Sequence, residues 1–435
     1  MTKVSSWGLL SHHEHELVPV FDRQGARSAI TGQGSPGLAV GLERSYGDVS
    51  LNGGGRLWDL RGMDRFIDFD EETGLLRCEA GVTIAQVQEI FSVRGWMMPV
   101  TPGTRFVTIG GAIANDVHGK NHHRAGSIGN HVRAITLLRT DGTVIECSPA
   151  LEPEWFAATV GGLGLTGVIL EASITLKRTG GPWIDAEDIP FESLEEFFAI
   201  SAESDSTHDY AVSWIDVTTD GGRRGIFTRG TTAVDQSGVA PRDRSAPFPF
   251  TPPVSLVNSL SVPVFNRAYF RRKSRRARRR REHYRPFFYP LDAIPHWNRM
   301  YGPRGFHQYQ SVVPHRDALE ATREMLGEIA RSGLGSFLGV LKTFGDVPPV
   351  GMLSFPMPGV TFALDFPERG DGTDALFARL DRIVADAGGR LYAAKDARMP
   401  RTMFDAGYPA LGRFREHMDP GLSSELSRRL VEETA

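Results

Sequence analysis

Apolar and polar residues follow two rhythms along this chain. From about residue 38 to 178 the apolar positions come in short runs cut by glycine, the pattern of β segments joined by tight turns. Residues 37–41 read as a small strand, and Phe66-Ile67-Asp68-Phe69 and 75–80 flank an acidic turn ending Thr73-Gly74, a strand–turn–strand pattern. In 83–94, Ile84, Val87, Ile90 and Phe91 recur at helical spacing. Residues 131–140 and 143–147 enclose Asp141-Gly142, a dipeptide that favours a hairpin turn. A short helix is expected at 152–159 and a strand at 167–177. From about 181 to 389 the grain changes. Strands are expected at 214–217, 308–313, 337–343 and 360–366 and helices at 318–329 and 373–387, which predicts an antiparallel sheet with helices on one face. A further strand is expected at 390–394. Between 233 and 263 the chain is rich in Pro and Ser and reads as a long loop.

Composition narrows the class. At 435 residues, 40% apolar and 23% charged, the sequence is that of an ordered globular protein of two or three domains. Lys and Arg (49) nearly balance Asp and Glu (52), so no overall field draws it to nucleic acid or an anionic surface. The balance hides a local exception, residues 267–281 (RAYFRRKSRRARRRR), with ten basic residues and no acid. This run reads either as a solvated loop or as a mobile basic loop touching anionic lipid headgroups; no nucleic-acid recognition motif accompanies it. Cys78 and Cys147 are too few for a disulfide framework, no run nears the ~20 apolar residues of a membrane span, and the first twenty residues hold no signal-like apolar stretch. The expectation is a cytoplasmic protein, at most peripheral at the inner membrane face.

The 48 glycines are clustered. Gly41-Leu-Glu-Arg44-Ser45-Tyr46-Gly47-Asp48 follows a small strand and can form an anion-binding nest. A denser stretch runs from Pro102-Gly103-Thr104 through Gly110-Gly111-Ala112 to Asn115-Asp116-Val117-His118-Gly119-Lys120, where glycine lets backbone approach a phosphate. Gly162-Leu-Gly164-Leu-Thr-Gly167 contains G-x-G-x-x-G but precedes a strand, so the dinucleotide fingerprint fails on context, and Gly119-Lys120-Asn121 lacks the Ser/Thr of a phosphate loop. His118, His122, His123 and His131 show neither H-E-x-x-H spacing nor a cysteine partner, so satisfied loop histidines are expected rather than a metal site. His12, His13 and His15 read as exposed.

Taken in order, GLERSYGD (41–48), PGTRFVTIGGAIANDVHGKNHH (102–123), GSIGNHV (126–132), GLGLTGVIL (162–170) and LYAAKD (391–396) resemble the FAD-binding oxidoreductases of the vanillyl-alcohol-oxidase fold. WNRMYGP, QYQSVVP, LSFPMPG and ALDFP extend the likeness to the oxidase subunits of decaprenylphosphoryl-ribose 2-epimerases. The resemblance implies an α+β flavoprotein in two parts, an FAD-binding domain at 1–180 to which 390–435 returns, and a substrate-binding cap at 181–389. It implies that Arg44, Ser45, Tyr46, Gly47 and Asp48, with Thr108, Ile109, Gly110 and Gly111, hold the pyrophosphate, and that Gly103 and Thr104 also meet the cofactor. Asn115, Asp116, His118, Gly119 and Lys120 would lie along it, Val168 and Ile169 would meet its adenine side through backbone, and Tyr392 would approach the flavin. Covalent members of this fold often carry a flavin-linking histidine in the first glycine loop; Tyr46 in that loop implies non-covalent FAD.

The implied activity is oxidation of the 2-hydroxyl of a polyprenyl-phosphoryl pentose to a ketone, half of an epimerisation that a reductase partner completes. An alditol or sugar-lactone oxidase acting on a free polyol is the alternative. Such oxidation needs a hydride acceptor and a base or cation at the reacting hydroxyl. These roles fall to Lys395 and Lys342, both expected on strands, with His118 as an acid–base or hydrogen-bonding group. Tyr289, Gln310 and Trp297 stand in substrate-side motifs beside the two lysines. Ala363 departs from the cysteine of the relatives at that position.

Overall fold

Local signals set the first elements. Thr83 and Gln86 form a capping box that starts the helix Ile84–Phe91, and Gly142, at φ 89°, turns the chain between the strands Val132–Leu138 and Val144–Cys147. In the computed structural model, which describes residues 1–32, 34–218, 224–242, 245–275 and 279–432, these strands join a five-stranded antiparallel sheet. Its order is Phe66–Asp70, Leu75–Glu79, Val168–Thr175, Val132–Leu138, Val144–Cys147. One face packs on the helices Ile84–Phe91 and Ile109–Ala114. A four-stranded sheet runs Thr2–Ser5, His12–Pro19, Arg56–Asp59, Gly37–Val40, with its last three strands parallel. His15 is buried there, contrary to its expected exposure, because its Nε2 accepts from the Asn52 backbone N–H.

The third sheet has eight strands, antiparallel throughout, in the order Arg279–His283, Trp183–Phe191, Gly225–Thr232, Tyr210–Ile215, Val340–Phe344, Gly359–Pro367, Phe306–Val313, Arg390–Leu391. Alternation along its strands sorts the two faces. Tyr309, Leu341, Phe362 and Leu364 point into a core shared with the helices Leu194–Asp205, Ala318–Ser332 and Asp371–Asp386. The register then brings Gln308 opposite Asp365, Gln310 opposite Ala363 and Lys342 opposite Thr361 on the other face. The mixed helix and sheet content is that of an α+β protein, and the sheet is antiparallel as the pattern of 181–389 predicts; its helices, however, lie on both faces, since Ser261–Ser274 packs on the side opposite that core, with Tyr269 against Trp214 and Lys273 against Asp188.

Two further expectations change. Only Arg390–Leu391 forms a strand, pairing with Ser311 and Val312; the chain then turns through a 3₁₀ segment, Ala393–Lys395, so Lys395 sits on a turn and not on a strand. Arg390–Leu391 is thus the edge of the eight-stranded sheet, and the chain reaches the N-terminal sheets later, where the Gly37 N–H donates to the Gly421 carbonyl. Where it is described, the basic run is not a loop. It continues the helix Ser261–Ser274 and enters the edge strand Arg279–His283, while Arg276 and Arg278 lie outside the described residues. The physical reason is the adjoining strand Trp183–Phe191: its Asp185, Glu187 and Asp188 pair with Arg281, Arg279 and Arg280, supplying the acids that the run lacks. Among the described residues no helix is long and apolar enough to cross a membrane.

Candidate functional site

The polar face of the eight-stranded sheet meets the loop around His118 and the turn that carries Lys395. His118 is buried, its ring 4.9 Å from that of Phe344 and 5.3 Å from that of Tyr392. Gln310 Nε2 lies 3.0 Å from both His118 Nε2 and Thr361 Oγ1. Because that amide nitrogen can only donate, the imidazole accepts at Nε2 and carries its proton on Nδ1, which has no protein partner. Burial, reinforced by the charges of Lys342 and Lys395, holds its pKa well below the ordinary histidine value, so the neutral ring is the form present.

Three lysines bear on this space. Lys395 Nζ lies 5.5 Å from the Tyr46 ring centroid and 5.9 Å from that of Tyr392, and Lys342 Nζ lies 5.8 Å from that of Phe344. Burial lowers Lys342 to about 7, helped by the charges of Lys395 and Lys120. Burial also lowers Lys395, to about 8, against the pull of Asp365. Asp365 itself is buried and pushed up by desolvation; its Oδ1 accepts from Gln308 Nε2 at 2.7 Å and its Oδ2 has no partner. Asp365 and Gln308 are site residues that sequence reasoning missed, although both lie in quoted motifs at alternate positions of adjacent strands. His122 is another: its ring lies 4.2 Å from that of Phe344 and its Nδ1 is unpartnered, so it is not the satisfied loop histidine expected. His123 and His131 do bond backbone carbonyls, of His208 and Ala125.

The two glycine stretches abut. A Cβ on Gly41 would stand 2.4 Å from Thr108 Oγ1, and one on Gly47 would stand 1.7 Å from the Asp396 carbonyl oxygen. Among the described residues, the backbone N–H groups of Arg44, Ser45, Tyr46 and Gly47 donate to no protein acceptor. The N–H groups of Ile109 and Gly110 are instead engaged by the Val82 and Ala80 carbonyls, and that of Gly111 by Thr108 Oγ1. The first loop therefore offers the free donors, while the second offers close approach: in front of Gly111 a Cβ meets only Thr108 Oγ1, at 3.1 Å. Gly103 likewise faces open space. Asn115 donates to the Gly111 carbonyl and leaves its own Oδ1 unpartnered, while Tyr392 donates to the Asn115 carbonyl at 2.7 Å. Free backbone donors, an orphaned buried oxygen and an open glycine cradle fit an FAD molecule with an anionic pyrophosphate.

Other expected residues hold the protein together. Asp116 accepts from Ser127 and Ser354 hydroxyls and the Gly129 N–H, which fixes the loop preceding His118. Lys120 donates to the Phe287 carbonyl. The guanidinium of Arg44 lies over the Trp7 ring at 4.3 Å, and Asp48 pairs with Arg429. The Thr104 hydroxyl accepts from the Phe106 N–H, and a Cβ on Gly119 would stand 2.8 Å from the Thr101 carbonyl oxygen. The Val168 and Ile169 side chains are buried in the core beside Leu138 and Leu137. Tyr289 is not open to a substrate: its buried hydroxyl bonds Thr101 Oγ1 and Gln88, stitching the 284–289 segment to the five-stranded sheet's helix. Trp297 packs near Tyr46 and Phe306.

Comparison with known proteins accords with this geometry. An FAD-binding domain family matches residues 27–148. The chain is 38% identical to the decaprenylphosphoryl-β-D-ribose oxidase of Mycolicibacterium smegmatis over 98% of this chain and 97% of that protein. It is 34% identical to an uncharacterised Streptomyces coelicolor protein over 80% of this chain and all of the relative. The mouse L-gulonolactone oxidase is 30% identical over only 31% of this chain and 30% of its own.

Proposed function

The chain belongs to the family of that decaprenylphosphoryl-β-D-ribose oxidase and is an FAD-dependent oxidoreductase, from which we propose that it oxidises the 2-hydroxyl of a polyprenyl-phosphoryl pentose to a ketone. The observation that carries the reading is the pair of lysines beside His118, with Lys342 Nζ near the Phe344 ring and Lys395 Nζ near the Tyr46 and Tyr392 rings; burial lowers both, and the charges of Lys395 and Lys120 lower Lys342 further. A site built of such ammonium groups is relieved by an anionic ligand and by negative charge developing on a reacting oxygen. Bound FAD supplies the two-electron acceptor. Lys342, a free amine above about pH 7, takes the hydroxyl proton at Nζ. Lys395, whose charge Asp365 supports, holds the negative charge on the substrate oxygen. His118 and Gln310 orient the sugar, with Nδ1–H and Oε1 as the unpartnered donor and acceptor.

In this reading the substrate cap is 181–389, the FAD-binding part is 1–180 with the C-terminal tail, and FAD is held non-covalently because Tyr46 offers no imidazole. A reductase partner completes the epimerisation, and the segment 267–281 makes peripheral contact with an anionic membrane. An anaerobic absorption spectrum tests the proposal. The flavin band is expected to bleach on adding a polyprenyl-phosphoryl pentose and not on adding a free alditol or sugar lactone, and acid precipitation is expected to leave all colour in the supernatant. Bleaching by the free polyol alone turns the reading to a polyol oxidase, and a coloured pellet refutes non-covalent attachment.

A further inference from the structure

Nine of the sixteen large apolar side chains exposed on the described surface lie between Val234 and Ile294, so surface apolarity is concentrated where the basic charge is. The helix Ser261–Ser274 organises both. Its inner side is fixed: Val262 packs in the cluster of Trp297, Tyr301 and Phe306, Asn266 donates to Asp216, the Tyr269 ring lies 4.8 Å from that of Trp214, and Lys273 pairs with Asp188. Its outer side carries Leu260 (81% exposed), Val264 (71% exposed) and Phe265 at the start, then Arg267, Arg271, Arg272 and Arg275. Spacings of three and four residues put Leu260, Val264, Arg267, Arg271 and Arg275 on one stripe. The preceding loop is pinned beside it, the Leu256 N–H donating to the Met300 carbonyl and the Phe248 N–H to the Pro295 carbonyl, with Phe250 and Val254 left exposed.

Charge separates this stripe from the rest of the basic run. Lys273, Arg279, Arg280 and Arg281 are paired with carboxylates of the protein, whereas Arg267, Arg271, Arg272 and Arg275 are exposed with no ion-pair partner among the described residues. We propose that the stripe from Leu260 to Arg275, with Phe250 and Val254, is a docking face for an anionic phospholipid bilayer. Its aliphatic end enters the headgroup–acyl boundary and its four unpaired arginines meet lipid phosphates. The choice of a bilayer follows from the pairing of an exposed apolar end with unneutralised guanidinium groups. The helix that carries the face reaches toward the site from its inner side, since Val262 packs with Trp297 and Phe306, Tyr46 packs against that cluster, and Lys395 stands over Tyr46. This deepens the membrane contact of the proposed function but assigns it to a rigid helix rather than a mobile loop, with Arg279 and Arg281 structural.

Cosedimentation of the FAD-loaded protein with phosphatidylcholine vesicles, with or without about one third phosphatidylglycerol, tests it. The parent is expected to bind anionic vesicles and to lose most of that binding as salt rises. The triple variant L260S/V264S/F265S and the quadruple variant R267Q/R271Q/R272Q/R275Q are each expected to bind at least about tenfold more weakly, with the flavin spectrum unchanged in both and the melting profile unchanged in the quadruple variant. The variant R279Q/R281Q, read for vesicle binding alone, is expected to stay within about twofold of the parent. No binding by the parent, or equal binding by all variants, overturns the proposal. So does a parent that self-associates without vesicles and becomes monomeric in the triple variant, which makes the face a contact between copies. Flavin bleaching by detergent-solubilised polyprenyl-phosphoryl pentose reads the substrate assignment separately, so failure of docking leaves that assignment standing.

Discussion

Asp365 sets apart two lysines of the same type. Its carboxylate pulls Lys395 upward and is not among the groups that act on Lys342, which burial and two neighbouring ammonium groups lower to about 7. Substrate-driven flavin reduction should therefore rise with pH through about 7, as Lys342 becomes a free amine, and fall above about 8, as Lys395 loses its charge. Lys342→Met is expected to abolish the acidic limb. Asp365→Asn removes the charge that raises Lys395, so the alkaline limb should move to lower pH while the acidic limb stays. Stopped-flow reduction across pH checks this, and an alkaline limb unmoved in Asp365→Asn would remove Asp365 from the mechanism. Lys395 was legible in the sequence within LYAAKD, and Lys342 within an expected strand. Asp365 was not, because an acid at an alternate position of an apolar strand reads as a solvent-facing residue. Only the register opposite Gln308 and the turn carrying Lys395 show that its face is covered.

Glycines that look alike in sequence do different work as elements. The space before Gly111 is open, whereas a Cβ on Gly47 would collide with the Asp396 backbone at 1.7 Å. Gly111→Val is expected to give folded, colourless protein, its branched side chain filling the cradle, and Gly47→Ala to lower the yield of folded protein by driving the first loop off the Lys395 turn. Circular dichroism with flavin absorbance separates the two. Full FAD content in Gly111→Val would move the pyrophosphate elsewhere. At this scale the hairpin at Asp141-Gly142 and the helices Ala318–Ser332 and Asp371–Asp386 follow from dipeptide and periodicity. The strands Trp183–Phe191 and Gly225–Thr232 do not. The first carries three acids, two of them adjacent, and contains Pro190, the second is broken by Gly230, and both become strands through tertiary pairing, acids on one meeting arginines on the other and on the edge strand.

Across the whole molecule, the site exists only if the first glycine loop, the Lys395 turn and the C-terminal tail hold one another. Arg429 is the joint. Its guanidinium meets Asp48 at 3.0 Å through two nitrogens, Asp396 at 3.1 Å and the Met399 carbonyl at 2.9 Å. Asp48 and Asp396 are both buried, and burial raises Asp48 against the pull of Arg429. Arg429→Met keeps the length of the side chain and leaves two buried carboxylates facing each other, a change that costs about 3 kcal/mol when one partner of such a pair is removed. The variant should melt several degrees lower and bind FAD more weakly, since the loop whose N–H groups are free is the one released. The sign with pH is fixed by the same electrostatics. Without Arg429 the Asp48 pKa rises further, so the deficit is largest near neutrality and shrinks as acid protonates the carboxylates. Melting curves of parent and variant between pH 5 and 8 measure it, and a deficit that grew toward low pH would show that Arg429 acts by packing and not by charge.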